Sequence, residues 1–130
     1  MKMLKKILFS GGLSLILLVG FAFGQSNQTA ANKSWNAYWT KFNRAVKTKN
    51  RQALIAMTSK RFFSPSGETI SQLLNQRSMW QMLRNSVKNG TKIHKCQKLT
   101  CRITRNTIVE SSLVFVFENN RWSFIGQLGE

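Results

Sequence analysis

Hydrophobic residues after position 32 recur at spacings of three and four, which is the period of an amphipathic helix. The stripe comprises Trp35, Tyr38, Trp39, Phe42, Ala45 and Val46. Lys41, Arg44 and Lys47 fall on the opposite side of this helix. We expect Asn32 or Ser34 to cap its start, because short polar side chains satisfy the free N–H groups there. One face of the first helix is therefore predicted to be core and the other cationic.

Two more helices are predicted before residue 90. Asn50 is expected to cap a short second helix that runs through about Ser59 and buries Leu54 and Met57. An aromatic pair and the run 64–67, which contains the one proline of the chain, then form a break.

The third helix is predicted from about Thr69 to Lys88. Its apolar stripe comprises Ile70, Leu73, Leu74, Trp80, Leu83 and Val87. Arg77 falls within this stripe, so a bend is expected there. Asn89 and Gly90 supply the stop signal, because both residue types accept the backbone conformations that end helices.

From Thr91 the period changes from near 3.6 to 2, which predicts an antiparallel sheet. Asn119 and Asn120 suit a two-residue hairpin turn with positive φ angles. The cross-strand pairs of that hairpin would be Glu118 with Arg121, Phe117 with Trp122, and Phe115 with Phe124. Opposite charges and aromatic rings both meet in this register, which supports it.

A three-residue turn at Arg105, Asn106 and Thr107 is expected upstream of that hairpin. It would pair Ile103 with Val109, Arg102 with Glu110, and Leu99 with Leu113. Val114, Val116 and Ile125 would then point to the other face of the sheet, which becomes partly apolar.

The first 24 residues have the three-part layout of a secretory signal peptide. Three lysines precede an uncharged apolar run from Leu13 to Phe23, and Ala22 and Gly24 supply the small residues that a signal peptidase reads. We expect cleavage there, a mature chain from Gln25, and an exported protein, either periplasmic or secreted. An uncleaved segment would instead anchor the protein in a membrane through residues 7–23.

Removal of the signal would leave 106 of the 130 residues, enough for one small domain. Residues 25–32 are small and polar and are predicted to be a flexible segment, with a single domain over 33–130. Cleavage of the signal would remove three of the 20 basic residues. The mature chain would then have 17 basic residues, four glutamates and no aspartate, which gives a net charge of +13 (17 − 4). A charge of this size attracts anionic polymers, anionic membranes or acidic proteins.

Cys96 and Cys101 are the two cysteines of the chain. An even count in an exported protein predicts a disulfide. A metal site with His94 is the alternative, but it would have three ligands and its spacing matches no structural zinc pattern. His94 stands among lysines and is expected to be a solvated strand position.

The order of helices followed by strands resembles the NTF2-like (cystatin-like) superfamily, in particular its small secreted bacterial members. The opening pattern is similar through Trp39, Phe42, Ala45, Val46, Asn50, Ala53 and Leu54, and the closing hairpin through Phe115 to Ile125. Asn50 departs from the acidic residue common at its position, and Asn120 from the usual glycine of the turn. The resemblance implies an α+β fold in which two to three N-terminal helices pack on a curved antiparallel meander of three to four strands.

Enzymes of that superfamily typically use an Asp, His or Tyr inside the cone formed by sheet and helices. This chain has no Asp and one His, and its four scattered glutamates offer no carboxylate pair for acid and base work. We therefore expect no catalytic residue, no cofactor and no metal, and predict that the protein is not an enzyme.

Eight basic residues and no acid lie between Glu68 and Glu110. The candidate anion- or partner-binding residues among them are Lys92, Lys95, Lys98 and Arg105. They predict an exported, non-enzymatic binding domain that engages an anionic envelope polymer, an anionic membrane surface or an acidic protein. Nucleic acid is a less favoured partner, because the aromatic residues are predicted to be core. The alternatives are an inhibitor or immunity-type protein that docks on a secreted enzyme, and a small-ligand carrier or enzyme with its site in the cone.

Overall fold

The computed structural model describes residues 28–105 and 112–128. The helices in these ranges are α1 (28–47), α2 (Arg51–Ala56), α3 (Ile70–Leu73) and α4 (Arg77–Lys88). The strands are β1 (Thr58–Phe63), β2 (Thr91–Cys96), β3 (Leu99–Thr104), β4 (Ser112–Glu118) and β5 (Arg121–Leu128). The α+β class is confirmed, but the sheet is mixed and has five strands where three to four antiparallel strands were predicted. The predicted signal peptide, residues 1–24, lies outside the described residues.

Helix α1 includes residues 28–32, so the expectation of a flexible segment is wrong for this stretch. Ala31 is fully buried, and its carbonyl accepts a hydrogen bond of 2.8 Å from the Trp122 indole N–H. Asn32 and Ser34 lie inside the helix and do not cap it; the Ser34 hydroxyl donates to the Ala30 carbonyl. The predicted aromatic stripe of α1 is confirmed as its core face.

Helix α2 begins as predicted, with the Asn50 side chain accepting from the N–H of Ala53. It ends at Ala56, so the expectation of a helix through Ser59 is wrong. After the C-cap Met57, the six residues Thr58–Phe63 form β1, which lies parallel to β5 at the edge of the sheet. Tertiary packing explains this strand, because the Phe62 ring lies 5.1 Å from that of Phe124. Phe63 covers Gly126, where an added Cβ would come within 2.6 Å of the Phe63 ring.

The predicted third helix is two helices, with the break just before Arg77, where a bend was expected. Thr69 and Gln72 form a capping box that starts α3. The Leu74 carbonyl, released by the break, accepts from the Trp80 indole N–H at 2.9 Å. This buried hydrogen bond stabilises the interruption.

The sheet order is β1-β5-β4-β3-β2, so β1 and β2 are the edge strands. All three predicted pairs of the β4–β5 hairpin are confirmed, and Asn119 and Asn120 have φ angles of 53° and 62°. A bulge beside Val114 and Phe115 then shifts the register.

The predicted β3–β4 register is wrong, because Arg102 lies opposite Phe115 and not opposite Glu110. Asn106 and Thr107 of the predicted turn lie outside the described residues, as do Val109 and Glu110 of the predicted pairs; β3 ends at Thr104 and β4 begins at Ser112. The shift is an odd number of residues, so it moves the apolar side chains of β3 to the opposite face. Cys101 lies opposite Val116, and Ile103 opposite Val114.

Aromatic side chains fill the space between α1 and the sheet. Phe115 is fully buried at the centre, with its ring 4.9 Å from Phe42, 5.3 Å from Phe124 and 5.5 Å from Trp35. Most of these contacts are edge-to-face, the arrangement that aromatic quadrupoles favour. The core therefore joins the first helix to the last two strands, and the segment from α3 to α4 adds further buried side chains to it: Leu73, Leu74, Met79, Trp80, Leu83 and Val87.

Candidate functional site

The four predicted partner-binding residues lie along one edge of the sheet. Lys92 and Lys95 are exposed on the edge strand β2, Lys98 is exposed in the turn that follows, and Arg105 is exposed just after β3. We call these four residues the cationic strip. The β2–β3 hairpin thus brings them together, but in a row and not around a pocket.

The spacing of the strip follows from the hairpin register. Arg105 donates its backbone N–H to the Gly90 carbonyl at 3.0 Å, so it stands at the end of the hairpin remote from Lys98. At about 3.3 Å per residue, the strip is roughly 20 Å long. Side chains alternate between faces along a strand, so Lys92 and Lys95 project to opposite sides of the edge. A single small anion could not contact all four residues.

The same register identifies the unpaired backbone of β2. Because Gly90 and Arg105 form a hydrogen-bonded pair, the backbone groups of Lys92 and His94 face β3. The N–H and C=O groups of Thr91, Ile93 and Lys95 therefore face away from the sheet. Ile93 is also 46% exposed.

Few acidic side chains oppose these cations within the described residues. Glu118 forms an ion pair with Arg61, on the far side of the sheet from β2. Glu68 accepts hydrogen bonds from Ser66 and Gln76. The described carboxylates are thus occupied elsewhere, and the positive potential of the strip is unopposed by them.

Cys96 and Cys101 stand diagonally across the β2–β3 turn. Their Cα atoms are 5.8 Å apart and their sulfur atoms are at bonding distance, which is compatible with the predicted disulfide. Gln97 in the turn has a positive φ of 59°. A bond here would fix the turn that carries Lys98.

His94 is exposed on β2, opposite Cys101. In the described part of the chain, no three side chains of His, Cys, Asp or Glu come together as metal ligands would. The placement of His94 agrees with a solvated strand position.

A second cationic surface was not predicted from the sequence. A groove of 620 Å³ lies between the end of α2, β1, the start of α3 and the β4–β5 turn. Lys60, Arg61 and Arg121 line it, and we call it the β1 groove. Arg121 lies 60 positions after Arg61 in the chain and comes near the other two only because β1 pairs with β5. In the sequence, only the adjacent pair Lys60 and Arg61 indicated a positive charge at this place.

The interior beneath α1 contains two polar groups of note. The Tyr38 hydroxyl donates to the Met57 carbonyl at 3.0 Å, and burial raises the pKa of Tyr38. The Arg102 guanidinium lies 4.8 Å from the Trp35 ring centroid, and burial lowers the pKa of Arg102. One Arg102 nitrogen donates weakly to Thr91, at 3.3 Å, while its buried Nε has no partner among the described residues.

Comparison of the chain with protein-family profiles, with curated proteins and with solved structures finds no match. Within the two described ranges, no helix has the length and apolar character needed to cross a bilayer. Function is therefore inferred from the cationic strip and the β1 groove themselves.

Proposed function

We propose that this protein is a non-enzymatic binding domain that holds an extended anionic polymer along the cationic strip. The observation that carries the proposal is the row of exposed cations along the β2–β3 hairpin, with no described carboxylate beside it. A linear polyanion matches a row of charges about 20 Å long better than a compact anion does. An envelope polymer is the favoured ligand.

Other anionic partners fit the strip less well. A membrane surface would need the cations on one plane, whereas Lys92 and Lys95 project to opposite faces. Single-stranded nucleic acid is usually held by exposed aromatic rings between the cations, and the tryptophans of this domain are buried or partly buried. Lysines on an edge strand also prevent strand-to-strand aggregation, so binding must be shown to depend on these positions in particular.

Binding to dextran sulfate tests the proposal. If four cations each release about one counterion, log K against log salt has a slope of about −3.6, a loss of roughly 100-fold in affinity between 50 and 200 mM salt. Substitution of Lys92, Lys95 and Lys98 by glutamine should bring the slope to about −0.9. Titration calorimetry across a salt series measures both.

The matched control replaces three exposed cations of α1, Lys33, Arg44 and Lys47, by glutamine. It changes the net charge by the same amount but leaves the strip intact, so its salt slope should stay near that of the unsubstituted protein. Equal losses in the two variants would show that net charge alone governs binding and would contradict a dedicated strip.

For the fold family, we propose membership of the NTF2-like superfamily. The support is the aromatic packing of α1 against the last hairpin and the short, Asn50-capped α2 that follows α1. The parallel β1–β5 pair is an addition to the meander that the resemblance implies.

We also propose that the protein is exported and processed after Gly24. Helix α1 already includes residue 28, so this cleavage would leave the described domain whole. The intact mass of the protein from the extracytoplasmic fraction should equal residues 25–130 less two hydrogen atoms, for one disulfide. A mass that includes residues 1–24 would identify an uncleaved anchor, and a mass higher by two hydrogens would identify free thiols.

A further inference from the structure

We propose that the β1 groove is a second binding site, separate from the cationic strip, and that it takes an acidic polypeptide segment in extended form. The groove lies beside the edge strand β1, whereas the strip follows β2 at the opposite edge of the sheet. The two surfaces can therefore be tested independently.

The charges of the groove are only partly balanced. Arg61 is paired with Glu118, but Lys60 and Arg121 form no ion pair and no side-chain hydrogen bond with the described residues. Both are exposed. Lys60 and Arg121 therefore give the groove a positive charge that the Arg61–Glu118 ion pair does not neutralise. This charge attracts carboxylates and repels cationic ligands.

The shape of the groove favours an extended ligand. A second groove, of 320 Å³, lies along α1 and shares Ala56, Arg121 and Ser123 with the first. Arg121 therefore stands where the two grooves meet. A chain that runs through both would pass beside Arg121, and an arginine guanidinium can hold a carboxylate through two parallel hydrogen bonds.

The lining also contains aliphatic surface. Ile55 is 36% exposed, and Ile70 is partly exposed beside it in the groove. A peptide that alternates carboxylates with apolar side chains complements both features. An acidic glycan would be expected to stack on exposed aromatic faces, but Trp122 in the adjoining groove is buried and the Tyr38 hydroxyl is bonded to Met57. The Phe62 ring, which lines the β1 groove, is partly buried against Phe124.

The test uses the full chain and a fluorescein-labelled decapeptide of glutamate, leucine and serine, with fluorescence anisotropy at physiological ionic strength. Two variants with equal net charge are compared: Lys60→Gln with Arg121→Gln, and Arg44→Gln with Lys47→Gln, two exposed cations of α1 that belong to neither the groove nor the strip. The first pair should weaken peptide binding about tenfold, since two exposed charge contacts are lost. The second pair should change it less than about twofold.

The apolar part of the site has its own readout. Ile55→Ser should lower the affinity for the leucine-containing peptide about threefold, because a part of one aliphatic contact is removed. It should not alter the affinity for a peptide of glutamate and serine alone. Circular dichroism of each variant checks that the fold is retained.

Equal effects of the two glutamine pairs, or binding of the peptide with its glutamates replaced by glutamine, would overturn the proposal. An anionic glycan that binds in place of the peptide, with the same dependence on Arg121, would overturn the assignment of the ligand. If dextran sulfate does not bind the strip, the proposed function fails but the proposal for the β1 groove does not, because the strip lies at the opposite edge of the sheet.

Discussion

Replacement of Phe115 by alanine should destabilise the domain by about 3–5 kcal/mol. The ring is fully buried and lies within 6 Å of five other aromatic rings. Its removal deletes buried apolar surface and leaves a cavity that rigid neighbours cannot fill. Since small domains are stable by about 5–15 kcal/mol, much of the total stability would be lost. Urea denaturation followed by circular dichroism measures the change.

Phe63→Ala is the matched control for this substitution. Phe63 is 44% exposed and lies outside the aromatic core, so the same chemical change should cost about 1 kcal/mol or less. Equal costs at the two positions would mean that α1 does not pack on Phe115 as described. If a variant reduces the slope of unfolding free energy against urea but leaves the midpoint unchanged, the substitution has altered the compactness of the native or denatured state. It has then not simply removed a side-chain contact from the native state.

Trp122→Ala should cost a similar amount, about 3–5 kcal/mol, because the ring is 5% exposed and packs 4.7 Å from Trp35. Trp122 both packs its ring in the core and donates a hydrogen bond through its indole N–H, and Trp122→Phe distinguishes these two contributions to stability. It retains most of the ring contacts but removes the N–H that donates to Ala31, leaving a buried carbonyl without its partner. The expected cost of that variant is about 1–3 kcal/mol.

Hydrogen exchange locates the effect of Trp122→Phe. Amides in the first turns of α1 should exchange faster, whereas those of α4 should be unchanged. Trp80→Phe is the counterpart, because it removes the hydrogen bond to Leu74 and should affect the junction of α3 and α4 instead. Uniform acceleration in either variant would contradict the local roles assigned to the two indoles.

Features that depend on neighbouring residues were predictable from the sequence. The β4–β5 register follows from two asparagines that adopt positive φ and from side chains a few positions on either side. The α1 core stripe and the Asn50 cap are equally local. Lys92, Lys95, Lys98 and Arg105 lie near one another for the same reason, since one hairpin carries all four.

Features that depend on distant residues were missed. The run from Thr58 to Phe63 has no regular alternation and becomes a strand because β5 lies beside it. The β3–β4 register places Arg102 opposite Phe115 and its guanidinium near Trp35, and the residues next to Arg102 in the sequence indicate neither contact. The β1 groove has the same origin, because its cations come from both members of the β1–β5 pair.

The hydrogen bond between Trp122 and Ala31 joins residues 91 positions apart. The first described helix and the last strand thus complete one core, and neither can bury its aromatic face without the other. Folding governed by such distant contacts is slow and cooperative. The chain should therefore remain unfolded until its C-terminal strand has left the ribosome, and an unfolded chain is the state that the proposed export would require.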